Sequence, residues 1–417
     1  MKIAIFTETY YPQVNGVVTS TDILSKKLEA LGHQVLIIGP KVEGYTESTD
    51  KVWRFRSVVF PFQPEHRMIS PLSRKLRQFK AMNFDIIHVQ TPIFMGHLGQ
   101  FLSWRYQIPM VHTYHTFWAE YLHYFPVLPK SLRKQADLLV LSRNFCNRCQ
   151  HVIVPSNQMK DKLKEYDVAV PMTVIPTGVD MHKTDIGDPN EFRKRFGLAN
   201  DDKVCIFVGR LGKEKNVYFL IDVFEQVLAK EPKAKLLILG DGPERQGMTD
   251  YAFKKGFGEK LIFTGYLTRP EVFTAYGASD VITFPSKTET QGLCLLEGLS
   301  AGTPAVCINA MGVKDILGDN KGGFLVYDDL DTYAATVVKL LKDSDLWQQK
   351  HEEAYKQAEY FSADNMAAET IKVYEEAIQY KKLIKKEPSK TLEGFFKKGS
   401  FWRLFFRKDD EENEDNS

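Results

Sequence analysis

Glu289 and Glu297 stand eight residues apart on either side of a glycine, in the stretch PSKTETQGLCLLEGLSAG (285–302). The short apolar run 281–284 precedes it, and apolar helix-forming residues follow Gly292. The spacing predicts a strand, a polar loop carrying Glu289, and a helix carrying Glu297 in its first turns. A helix start of this kind presents unpaired N–H groups, those of Gly292 and Leu293 first, and the positive end of a dipole. That is an anion site. Carboxylates on both sides of it would accept from sugar and ribose hydroxyls while the N–H groups take a diphosphate. The pattern therefore suits a nucleotide-sugar pocket. The alternative, a surface loop with two solvated glutamates, has to be judged against the rest of the chain.

Three further places carry residues of matching chemistry. The strand-like run KVCIFVG (203–209) leads directly into RLGKEKN, with Arg210 and Lys215. Arg as a planar fork and Lys as a point charge could neutralise a diphosphate leaving group; a basic turn is the plainer alternative. Gly16 follows Asn15 in TETYYPQVNGVVTS, between a strand at 2–6 and a helix expected from about Thr19 to Gly32. Doubly wound sheets bind phosphates at such a junction. It is not a Gly-x-Gly-x-x-Gly fingerprint, and a tight turn would also explain it. His115 ends the run PMVHTYHT (109–116), where it could donate to a sugar hydroxyl or to an oxygen gaining charge in a transition state. Cys146 and Cys149 form a lone Cys-x-x-Cys, read as structural.

These residues need a scaffold, and the chain supplies one. Its 417 residues, 43% hydrophobic and 26% charged, suit two or three globular domains. A net charge of +2 gives no global case for nucleic acid, and no nucleic-acid partner is expected. No uncharged apolar run is long enough for a transmembrane helix. The start, MKIAIFTETYYP, reads as a buried strand rather than a signal peptide, because Glu8 follows a short apolar run. Five cysteines, an odd number, suit a reducing cytoplasm. Apolar runs at 34–40, 85–90, 109–116, 151–156 and 172–178, then at 203–209, 235–240, 261–265, 281–285 and 304–309, alternate with helical spacing. The expectation is an α/β chain with two doubly wound, Rossmann-like domains, 1–185 and 186–355, facing each other across a cleft. Helices over 356–382, broken near Ser362, and a tail at 383–417 complete it.

Three stretches point to an anionic membrane surface. Residues 66–80 (HRMISPLSRKLRQFK) alternate cations with apolar residues, as an amphipathic helix on a bilayer would, or a solvated helix packed on the sheet. Residues 117–130 are dense in aromatics and broken by Pro126 and Pro129, which suits an exposed apolar lip. Over 392–408, six aromatics are interleaved with five cations before an acidic end. Aromatic–basic mixtures favour head groups, each cation contributing on the order of 1 kcal/mol. Packing on the protein itself is the alternative, and base stacking a third.

Over roughly residues 1–380 the chain resembles the retaining GT-B glycosyltransferases of family four. The resemblance rests on TETYYPQVNGVVTS, TYHT around His115, VIPTGVD (174–180), GRLGKEKN, LGDGPE and ETQGLCLLE, in that order. Within the family it looks most like the bacterial 1,2-diacylglycerol 3-glucosyltransferases. The resemblance implies a GT-B fold, with the C-terminal helix crossing back to the first domain. It implies that Glu289 binds the transferred sugar, Glu297 the ribose, and the amides at Gly292 and Leu293 the diphosphate, with Arg210 and Lys215. Gly16 would let its loop approach the phosphates, and His115 would lie near the donor sugar. UDP-glucose is then the donor substrate and diacylglycerol the acceptor. No cofactor is permanently bound and no metal site is expected, Mg2+ being at most a non-essential stimulant. The enzyme would be peripheral, on the cytoplasmic face of the cell membrane. Competing readings are transfer to a glycosylated lipid or polysaccharide, a UDP-sugar epimerase on the same scaffold, and a non-catalytic membrane adaptor.

Overall fold

The structure, a computed structural model, describes residues 1–13, 15–47, 49–60, 63–69, 75–115, 142–180, 187–289 and 291–385. The chain divides into two compact units. The first comprises Met1–Ile153, Leu163–Thr173 and the chain from Glu369 onward; the second comprises Val154–Lys162 and Val174–Ala368.

Among the described residues, nine strands lie in the first half of the chain: β1 Lys2–Phe6, β2 Gln34–Pro40, β3 Val52–Phe55, β4 Ser57–Phe60, β5 Gln63–Ile69, β6 Ile86–Val89, β7 Met110–Thr113, β8 His151–Val154 and β9 Met172–Val174. Seven form a sheet in the order β3-β2-β1-β6-β7-β8-β9. The pairs from β3 through β8 are parallel. Six more strands, β10 Lys203–Val208, β11 Ala234–Leu239, β12 Leu261–Gly265, β13 Val281–Phe284, β14 Ala305–Ile308 and β15 Gly323–Val326, form a second parallel sheet, β12-β11-β10-β13-β14-β15. Both orders reverse direction once, beside β1 and beside β10, which is the doubly wound pattern. Four strands escaped the sequence reading: β5, treated below, and three others. They are β3, which holds a charged residue at Arg54, the four-residue β15, and β4 of a small hairpin.

The apolar runs are continuous because both faces of each sheet are covered. Alternate residues of β10 show this directly: Val204 and Ile206 join one core cluster, Cys205 and Phe207 the other.

The stretch 66–80 is not one helix. Residues up to Ile69 belong to β5, antiparallel to β4 with Val58 opposite Met68 and Val59 opposite Arg67. A helix forms only at Lys75–Ala81. Pairing with the β-branched neighbour strand overrides the helical spacing. In that short helix Leu76 and Phe79 are buried, Phe79 meeting Phe84 at 4.8 Å between ring centroids and Phe6 at 6.1 Å. These apolar side chains are committed to the protein's own core. Residues 117–130 and 392–408 lie outside the described residues.

The first long helix runs Gly16–Ala30, starting three residues earlier than the apolar spacing suggested. Asn15 caps it, its side chain accepting from the Val18 N–H at 3.0 Å. Near the other end of the chain, helix Ser344–Tyr360 stops and helix Ala363–Lys385 begins, so the break falls at Phe361 and Ser362. The segment around Gly178 fills this break. Val179 donates its N–H to Phe361 and accepts from Ala363, both at 3.0 Å. A Cβ on Gly178 would sit 2.5 Å from the Ala363 Cα.

Just past β1, Glu8 is fully buried. One carboxyl oxygen accepts from the Met95 N–H in the first turn of helix Phe94–Tyr106. The other has no partner among the described residues. Burial pushes this carboxyl from 4.5 up to about 8, against the pull of the Met95 and Gly96 N–H groups.

Two outcomes follow. Gly178→Ala forces backbone against backbone and should cost about 1–3 kcal/mol in urea unfolding; an unchanged midpoint would contradict the close approach. The folded protein binds the Glu8 proton more tightly than the unfolded chain does. Glu8 therefore makes stability fall as pH rises from 4.5 to about 8. Glu8→Gln, which mimics the protonated acid, should flatten that fall and exceed the wild type in stability at the upper end. Parallel stability–pH curves for the two proteins would refute it.

Candidate active site

In the second unit the order of strands reverses between β10 and β13, and their carboxyl ends open side by side. The segment after β10 passes Gly209 and an exposed Arg210, then makes a single 3-10 turn, Lys213–Lys215. Asn216 follows in the left-handed region, φ 56°, and starts helix Val217–Lys230. Its side-chain amide donates to the Pro285 carbonyl at 3.3 Å, tying this segment to the loop after β13.

That loop carries Glu289. Its carboxylate receives a hydrogen-bonded ion pair from Lys215, with side chains only 16% and 20% exposed. The backbone is held on both sides. The Glu289 carbonyl accepts from the Gly312 N–H at 2.9 Å. Gln291 makes a reciprocal pair with Thr177, its Oε1 accepting from the Thr177 N–H and its Nε2 donating to the Thr177 carbonyl, both at 2.7 Å.

Gly292 then takes φ 95°, a conformation that favours glycine, and begins helix Leu293–Ser300 without any side-chain cap. The first N–H groups of the helix, at Leu293 and Cys294, thus open beside Glu289 and Lys215. Close packing fixes the helix: a Cβ on Gly298 would lie 2.2 Å from Ile282 Cδ1. Glu297 lies along it, its side chain 13% exposed and 3.6 Å from the Arg269 guanidinium. Burial pushes the Glu297 carboxyl up, and Arg269 pulls the other way. The Cys294 thiol registers the whole cluster. Burial, then Glu297 and Glu289, push it up to about 12, while Lys215 opposes them.

Lys215, Glu289, Glu297, Gly292 and Leu293 are therefore gathered at one place, and Arg210 lies at the same edge of the sheet. The arrangement offers two cations and open amides to an anion, and two carboxylates to hydroxyls.

In the first unit, His115 sits two residues past β7, half-buried, with Nε2 2.6 Å from Gln90 Oε1. Gly16 is exposed at the first position of its helix, and among the described residues no atom lies within 4 Å of where its Cβ would be. His112 is a core residue, buried, its Nδ1 2.9 Å from the Val89 carbonyl. Cys146 and Cys149 are both buried thiols raised by desolvation, which fits a structural role. The sequence reading did not find Glu8, Gln90, Arg269 or Gln291. An acid directly after the first strand was a usable signal for Glu8; the others emerge only from contacts between distant segments.

Residues 14–183 match the family description Glycosyltransferase Family 4, and residues 188–359 match Glycosyl transferases group 1. The chain is 33% identical to the alpha-monoglucosyldiacylglycerol synthase of Streptococcus pneumoniae, over 91% of this chain and 86% of that protein. It is 30% identical to the alpha-monoglucosyldiacylglycerol synthase of Acholeplasma laidlawii, over 73% and 80%. A GDP-mannose-dependent alpha-mannosyltransferase of Corynebacterium glutamicum is 27% identical over 82% and 81%. Among solved structures, Anabaena HepE in complex with UDP and glucose superposes with a TM-score of 0.70 at 18% identity, covering 89% of this chain and 99% of that one. Sucrose-phosphate synthase from Thermosynechococcus elongatus gives 0.71 at 20%, covering 90% and 98%. With two doubly wound parallel sheets and relatives matched along most of its length, the chain belongs to glycosyltransferase family 4 and has the GT-B fold.

Proposed function

We propose that this glycosyltransferase moves a glucosyl unit from UDP-glucose to the free hydroxyl of 1,2-diacylglycerol, retaining the anomeric configuration. The observation that carries the donor half is the Lys215–Glu289 pair beside the uncapped helix at Gly292. A diphosphate entering there meets Lys215, Arg210 and the amides of Leu293 and Cys294. Glu289, released from Lys215, takes hydroxyls of the sugar, and Glu297 takes those of the ribose. The charge that builds on the departing phosphate is met by groups already fixed in place, the most effective form of electrostatic catalysis. The leaving phosphate, on the face the sugar occupied, helps to deprotonate the incoming hydroxyl. The acceptor half rests on the relatives named as alpha-monoglucosyldiacylglycerol synthases. The mannosyltransferase relative supports a second reading, the same transfer from GDP-mannose.

No described helix is long and apolar enough to cross a membrane. A lipid acceptor then requires contact with the bilayer from its surface, and the aromatic–basic stretch 392–408 suits that contact.

The test is to incubate the full chain with radiolabelled UDP-glucose or GDP-mannose and diacylglycerol in anionic-lipid micelles. A labelled glycolipid from UDP-glucose alone is the expected result. Label transferred only to a soluble sugar, or only from GDP-mannose, overturns the reading. Glu289→Gln removes a charge-assisted hydrogen bond worth about 1.5–3 kcal/mol and should lower kcat/KM roughly 10- to 100-fold. An unchanged value would remove Glu289 from the donor site.

A further inference from the structure

Lys215 and Glu289 are 74 positions apart in the chain and meet from two separate loops of the second unit. A pair assembled in this way needs both loops held at a fixed separation. The Glu289 loop is fastened through Gly312 and Gln291, which hold it to segments other than the one carrying Lys215. The Lys215 segment is held at its start by the loop after β11. There Leu211 donates its N–H to the Asp241 carbonyl at 2.9 Å and accepts from the Glu244 N–H at 3.0 Å. At its end the segment is held by Asn216, the residue directly after Lys215. The Asn216 side-chain amide donates to the carbonyl of Pro285, which follows β13 and opens the loop leading to Glu289.

The residue type at 216 has two local explanations, and neither uses the amide. The backbone there takes φ 56° and ψ 31°. Glycine is the default in this left-handed region and asparagine is tolerated, so the turn alone would accept glycine. Asparagine is also a strong helix cap, its side-chain oxygen accepting from N–H groups of the first turn. Asn216 occupies the cap position of helix Val217–Lys230 and makes no such bond. At the corresponding position of other helices Asn15, Asp329 and Asp343 do make it. The side chain of Asn216 is thus withheld from its own helix and directed at the neighbouring loop. What it controls is the short turn before it. Lys215 ends a 3-10 turn that has no side-chain cap, and the Asn216 N–H closes that turn on the Lys213 carbonyl at 3.2 Å. A lysine ammonium rides on a flexible four-carbon stem, so its reach depends on where the backbone launches it.

We propose that Asn216 is a positioning residue of the donor site: its side-chain amide fixes the Lys215 segment against the loop after β13 and so sets Lys215 opposite Glu289. When a nucleoside diphosphate arrives and Lys215 turns to it, the same tie holds the ammonium beside the open helix start at Leu293. A cation held in place beforehand needs no rearrangement to meet the anion. Asn216 itself touches no ligand and acts through Lys215. The nucleotide in this statement rests on the reading of the preceding subsection; the placing of Lys215 against Glu289 does not.

The test uses the full chain and separates the amide from the backbone. Asn216→Gly keeps the left-handed turn and removes only the tie. Calorimetry with UDP and with GDP identifies the nucleotide that the wild type binds. Its Kd should rise about tenfold in Asn216→Gly, which corresponds to the loss of one ordinary hydrogen bond. A residue needed only for the turn would leave binding unchanged, because glycine suits the turn at least as well. An equal Kd in the two proteins therefore overturns the proposal. A second measurement needs no nucleotide. Lys215→Gln and Glu289→Gln are made singly and together, and their urea-unfolding midpoints compared. With Asn216 in place the two shifts should fail to add, as they do for residues in contact. Combined with Asn216→Gly they should add. Additive shifts with Asn216 in place, or the same departure from additivity in both backgrounds, overturn the proposal. If neither nucleotide binds the wild type while additivity changes as expected, the nucleotide reading fails and the placing of Lys215 stands.

Discussion

A parallel strand packed on both faces has no side chain left over for chemistry. In β10 and β13 successive residues alternate between two apolar clusters, Val204, Ile206, Ile282 and Phe284 on one side, Cys205, Phe207 and Val281 on the other. The charged groups of the candidate site accordingly stand past the strand ends. Because neighbouring strands run the same way, those ends share an edge, and the edge opens where the strand order reverses. Arg210 and Lys215 follow β10, and Glu289 follows β13. The first sheet repeats the arrangement: Glu8 follows β1, Gln90 follows β6, and His115 follows β7. The apolar cores thus decide where the functional groups can stand.

What stands there is balanced charge. Lys215 and Glu289 neutralise each other in a partly desolvated place, where a lone ion would be costly. Glu297 is treated differently: burial disfavours its ionised form, and the more exposed Arg269 restores part of the balance. The two carboxylates are therefore set apart by their surroundings, although they lie on one short segment. The histidines of the first unit follow a third rule. Burial lowers the affinity of His88, His112 and His115 for a second proton, and hydrogen bonds place these three rings.

Much of this was legible beforehand, for a physical reason. Two-sided burial writes itself into the chain as unbroken apolar runs, so most strands could be placed from the sequence. A strand-end glycine followed by arginine, and a glycine between two glutamates, mark functional edges by local order alone. What stayed hidden depends on partners far away in the chain. The run 66–80 has helical spacing, but β4 captures its first part. Arg54 sits in β3 because its guanidinium reaches the carbonyls of Tyr11 and Pro40, at 2.7 and 3.2 Å, as well as Glu47. Gln90 and Tyr374 have no local pattern at all; their contacts with His115 and His88 exist only once distant segments have met.

The loop that carries Glu289 is fastened by the Glu289 carbonyl and by the Gln291 side chain, neither of which would touch a ligand in the arrangement described. The Lys287 side chain adds an ion pair to Asp328, so several fastenings hold its backbone in place. Such a loop is a chassis with exchangeable fittings. A scaffold of this kind lets a side chain it displays be exchanged by a single substitution while its backbone stays where it is.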